Sequence, residues 1–175
     1  MKPLEPIVSR ESPREILADD YKALNGLLPI SGGWGYTRDD ACIIDEDDPI
    51  VPKGIPFNGI AVEYSFVEKR IWEEMIIFRR PEDQYAGIKW KLLRQHLSHV
   101  NGRAYDMLEF EITALPQTVW EALKAEWEGP DGFINPDFDQ EAHDRKHEKN
   151  KFTIVREFWF DITSFFGKSS NAKTE

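Results

Sequence analysis

The chain has 175 residues, 41% of them hydrophobic and 13% aromatic, so it can bury a core and is too apolar for global disorder. Its 22 Lys+Arg stand against 32 Asp+Glu, a formal net charge of −10, which repels nucleic-acid phosphates and anionic membrane surfaces and favours a basic protein partner or a cation. The single cysteine, Cys42, forbids an intrachain disulfide, and neither a signal-peptide core nor an apolar run of roughly 20 residues is visible, so a cytoplasmic location is expected.

The first dozen residues hold two prolines and no periodicity, and 167–175 are small and polar. Residues 1–11 and 167–175 are therefore expected to be flexible ends around a single domain spanning 12–166. Ser12, Pro13 and Glu15 form a helix-start signature. Leu17, Tyr21 and Leu24 follow at helical spacing, and Gly26 is a natural stop.

Next comes "SGGWGY" (31–36). Its spacing matches neither a Walker loop nor a dinucleotide fingerprint. The glycines fit a tight turn beside Trp34, and an exposed Trp34–Tyr36 pair would offer a stacking surface to a partner or flat ligand. The acidic run Asp45–Asp48 lacks the alternation and glycine of a calcium loop and reads as a solvated turn.

"GIAVEYSF" (59–66) alternates through Ile60, Val62, Tyr64 and Phe66 and reads as a strand. Residues 67–80 fit a helix through Val67, Ile71, Trp72, Met75 and Ile76, or a strand returning after a turn at 68–70. The meander-like neighbours favour a strand. "VNGR" (100–103) carries the Asn-Gly pair of a two-residue hairpin. That loop pairs Leu93 with Phe110, Arg94 with Glu109, Gln95 with Leu108 and His96 with Met107. Ala104, Leu108, Phe110 and Ile112 then face a core, while Trp90, Arg94, His96, Tyr105, Glu109 and Glu111 share the other face.

Thr118 and Glu121 suggest a capping box for a helix with Val119, Trp120, Leu123 and Trp127 on its apolar side, ended by Gly129-Pro130. A third helix, from about 136 to 148, is almost wholly polar, with Phe138 and Ala142 inward and Asp137 or Asp139 as cap. "FTIVREFWFDITSFF" (152–166) is an alternating strand interrupted by Arg156. The sum is an α+β fold: an antiparallel sheet of four to six strands packed by two or three helices.

Glu109 and Glu111 lie roughly 7 Å apart on one strand face. With Arg94 and His96 beside them and Trp90 and Tyr105 as ring surfaces, they compose a possible acid–base pair for a hydrolase acting on a polar small molecule or glycan. The plainer account is a half-exposed face with an Arg94–Glu109 ion pair. His143 and His147 are four apart, so a helix would place both within reach of one metal, but a third ligand must come from elsewhere; a solvated charged helix is favoured. Cys42 sits in an apolar stretch and reads as buried rather than nucleophilic.

No cofactor motif emerges. The composition favours a non-catalytic acidic binding or regulatory protein, such as an inhibitor, an immunity-type protein or an assembly subunit. It would act through a protein partner at Trp34, Tyr36, Trp90 and Tyr105. The carboxylate hydrolase is the alternative.

Overall fold

A computed structural model describes residues 5–6 and 28–168. The helix expected from Ser12 to Gly26 lies outside the described residues.

The elements run β1 (Ile30–Gly32), β2 (Cys42–Ile44), α1 (Gly59–Trp72), β3 (Tyr85–Val100), β4 (Arg103–Pro116), α2 (Gln117–Glu128), α3 (Gln140–Asn150) and β5 (Phe152–Asp161). The strands form one five-stranded sheet in the order β1-β2-β5-β4-β3. β1 is antiparallel to β2, with Ile30 opposite Ile44, and β2 is parallel to β5, with Cys42 opposite Phe160. This is the expected α+β class, with a strand number inside the expected range.

The hairpin forms where the Asn-Gly pair places it. Asn101 and Gly102 have φ of 52° and 77°, the left-handed pair that matches a two-residue turn to the twist of its strands. In β4, Ala104, Leu108, Phe110 and Ile112 are buried at alternate positions, as expected, and Asp106 is buried among them.

Residues 59–80 depart from expectation. They form α1, extended by a π-helical turn over Glu73–Ile77 in which the Phe78 amide donates to the Glu73 carbonyl at 3.0 Å. Period-two spacing was a coincidence of apolar residues: Ile60 and Tyr64 are exposed, while Val62, Phe66, Val67 and Ile71 are buried at helical spacing. The capping box at Thr118 does not form either. β4 runs directly into α2 at Pro116, with no side-chain cap. The Gln117 amide, one of the four at the helix start that lack an intrahelical partner, donates instead to the Gln84 carbonyl at 2.9 Å. β5 stops at Asp161 rather than 166, because the Asp161 carboxylate accepts the Thr163 amide at 3.1 Å and turns the chain.

Contacts group the chain into two units. One holds Trp72–Leu92 and Phe110–Arg156, and its core includes Met75, Phe110, Ile112, Leu115 and Leu123. There Arg156, the interruption in β5, is answered by Glu74, whose Oε1 accepts from Nε at 3.1 Å and Nη2 at 2.6 Å. The other runs to Ile71 and adds Leu93–Glu109 and the chain from Glu157 onward. Its core packs Phe66 against Phe160 edge to face at 5.6 Å, with Leu28, Ile44, Leu108 and Phe158 also buried. Burying Phe66 alone contributes roughly 1.5–3 kcal/mol.

Candidate functional site

The glycine turn is built around Asp40. The Trp34 amide donates to Asp40 Oδ2 at 3.1 Å, and the Gly35 amide to the Asp40 carbonyl at 2.7 Å. A Cβ on Gly33 would lie 1.9 Å from Asp40 Oδ1. Gly35 has φ +79° and accepts the Trp159 amide at 2.6 Å. Each glycine therefore permits a close approach or a left-handed backbone that a side chain would resist.

This turn seats Trp34 inward, at 8% exposure. The Arg70 guanidinium lies 4.0 Å over its ring and donates through Nη2 to the Tyr36 hydroxyl at 2.7 Å. Arg70 itself is fully buried. The expectation of an open Trp34–Tyr36 stacking surface is therefore corrected: both rings are engaged in holding a desolvated arginine, where a cation–π contact is at its strongest.

The sheet carboxylates are each matched by a cation. Glu109 pairs with Arg94 at 2.9 Å and Glu111 with Lys91 at 2.9 Å. Trp90 meets Trp72 edge-on, with ring centroids 5.9 Å apart. Tyr105 is half-buried and His96 exposed.

A different pair of carboxyls is buried, on positions not singled out from the sequence. Glu63 of α1 and Asp106 of β4 are 1% and 3% exposed. Burial, reinforced by the neighbouring Asp106 charge, pushes the Glu63 carboxyl up to about 8. Burial also raises Asp106, against the hydrogen bond from Gln95 Nε2 at 2.5 Å to its Oδ2. Glu63 Oε2 and Asp106 Oδ1 accept no hydrogen bond. The two neighbouring acids cannot readily ionise together, and neither lines the hollows described below. The signal in the sequence was Asp106 at a core-facing position between Ala104 and Leu108. Cys42 is fully buried, and burial drives its thiol pKa far up, which agrees with an unreactive side chain.

The two histidines of α3 diverge in environment. His143 is buried against Trp127 and Phe138, with ring centroids 5.4 and 5.6 Å away. His147 is half-buried, with Nδ1 3.8 Å from Glu148. Asp139 caps the helix, accepting the Ala142 amide at 2.9 Å, as expected. No group of three or more His, Cys, Asp or Glu among the described residues is placed to hold a metal. Among the described residues, no helix is long and apolar enough to cross a membrane.

Two hollows remain. One, of about 360 Å³, is lined by Arg103, Asp161, Thr163, Ser164 and Asp45. Its polar groups bond to one another: Arg103 Nη1 meets Asp161 Oδ2 at 3.0 Å, and Ser164 Oγ donates to the Ile44 carbonyl at 3.0 Å. The other is an apolar groove of about 300 Å³. It is lined by Leu28-Pro29, by the proline-rich segment 50–58 and, from the first turns of α1, by Ala61, Val62 and Ser65. Asn58 starts the helix, its Oδ1 accepting the Ala61 amide at 3.0 Å. Ile55 stands at the groove with 66% of its surface exposed.

No protein-family model matches the chain, and comparison with curated proteins and with solved structures finds no match.

Proposed function

We propose that this protein acts by binding a protein partner rather than by catalysis, in the manner of an inhibitor, an immunity-type protein or an assembly subunit. The observation that carries this reading is the apolar groove at the start of α1, open to solvent beside an Ile55 that is largely exposed. Concave, apolar and partly preformed surfaces are where a partner's anchor side chains are desolvated. The catalytic alternative loses support because Glu109 and Glu111 are matched by Arg94 and Lys91. Trp34 is buried under Arg70 and contributes by rigidifying the molecule, while the half-exposed Tyr36 holds Arg70 through its hydroxyl.

The test is affinity capture from the native cell with full-length protein, comparing wild type with Ile55→Ser and with Ile134→Ser, an exposed residue outside the groove. A specific partner is expected with wild type and Ile134→Ser and is expected to be lost with Ile55→Ser. Equal recovery by all three proteins removes the groove from the interaction.

A further inference from the structure

Resting on the assignment of partner binding to the apolar groove, we infer that its occupant is a basic amphipathic helix of the partner protein. Three features point to this class of ligand. The groove is walled by Pro29, Pro52 and Pro56, residues without an amide hydrogen. Three amide donors are thereby removed from its lining, so an extended peptide would find fewer backbone partners there. A helix satisfies its own backbone and needs only side-chain anchors, at i, i+3 or i+4 spacing.

The charge beside the groove is one-sided. Asp45, Glu46, Asp47 and Asp48 precede the wall residues Ile50 and Val51, and Lys53 is the one cation from 45 to 58. The acidic turn is tied to that wall: the Ile50 amide donates to Asp48 Oδ1 at 3.1 Å and the Val51 amide to the Asp48 carbonyl at 2.9 Å. Lys168 reaches Glu46, while Asp47 stands exposed. A ligand with cations flanking its apolar face is steered and oriented by this field. A second copy of the chain, itself at −10, would be repelled.

The probe is a fluorescent helical peptide of about 18 residues, leucine along one face and lysine elsewhere. Two controls accompany it: the same composition with leucines scattered around the helix, and a leucine–glutamate version. Anisotropy is read with full-length wild type, Ile55→Ser and Ala61→Gln, a helix-tolerant change that fills the groove. The expected result is saturable binding of the amphipathic basic peptide alone. It should weaken about tenfold in each variant and fall as salt is raised. Equal binding of the scattered peptide, or binding indifferent to both variants, overturns the inference, as does no binding at all.

A photo-crosslinker at position 55 of the full-length protein in its native cell separates this inference from the reading beneath it. A cross-link through a basic helical segment of another protein supports both. A cross-link through an acidic or extended segment overturns the basic helix and keeps the partner. A cross-link to residues 7–27 of the same chain, or to a second copy, overturns both.

Discussion

Arg70 carries a charge that water does not reach, and the geometry around it shows how the cost is met. Trp34 covers one face of the guanidinium at 4.0 Å, and the Tyr36 hydroxyl accepts from Nη2. Trp34→Ala should therefore cost about 3–5 kcal/mol, from a large cavity as well as a lost cation–π contact. Trp34→Phe should recover part of it. Urea unfolding of the three proteins checks this, and a loss below about 1 kcal/mol for Trp34→Ala would show that the ring does not support the arginine. Glu74 plays the same part for Arg156, accepting two of its nitrogens on one oxygen. Glu74→Ala should destabilise by about 3–5 kcal/mol, because it strips a low-exposure cation of an anion bonded to it at 2.6 Å. Replacing both partners with Glu74→Met and Arg156→Leu should cost clearly less than the sum of the single changes. A double-mutant cycle measures that coupling, and strict additivity would mean the pair is worth nothing.

At the scale of elements, legibility followed the distance over which each signal acts. The hairpin was readable because Asn101-Gly102 is a local demand on φ, and β4 because its core residues alternate. The cap of α3 at Asp139 was readable for the same reason. α1 hides its helical period because two residues of its buried face, Glu63 and Arg70, are charged. Gly59, Val62, Glu63, Phe66, Val67, Arg70 and Ile71 are the buried face of the helix, spaced at three and four throughout. With Glu63 and Arg70 included the helical period is plain; without them the apolar residues from 60 to 66 mimic a strand. The groups that set the state of those side chains lie far away in sequence: Trp34 and Tyr36 hold the Arg70 cation, and Asp106, with burial, keeps Glu63 protonated. No local pattern announces them. The groove was invisible for the same reason, since its walls come from 28–29, 50–58 and α1. The two periods make opposite predictions for neighbours in α1. Phe66→Ala should cost about 3–5 kcal/mol, and Tyr64→Ala, on the exposed side, clearly less. Thermal melts of the two variants decide it; equal losses would restore a strand with both rings on one buried face.

At the scale of the whole molecule, stability is expected to depend on a single proton in the core. Glu63 titrates near 8 in the folded chain, because burial and then Asp106 oppose its charge, against an ordinary value of 4.5. Below that ordinary value both folded and unfolded states hold the proton, and the full stability is present. As pH rises from about 4.5 to 8, the unfolded chain releases the proton while the native chain keeps it, so unfolding becomes progressively easier. The slope approaches about 1.4 kcal/mol per pH unit for one group. Above about 8 both states are ionised and the loss levels off, at a few kcal/mol by order of magnitude. Asp106 is raised by burial too and acts with the same sign. So does the net charge of −10, whose self-repulsion strengthens as carboxyls ionise. The variant Glu63→Gln separates these contributions, since it keeps the shape and the general repulsion but has no proton to lose. It should match the wild type near pH 4.5 and exceed it by a few kcal/mol near pH 8. The difference between the two denaturation curves should grow between those limits and then flatten. A difference that does not change with pH would mean that Glu63 ionises freely in the folded chain, and that the destabilisation at high pH comes from the acidic surface as a whole.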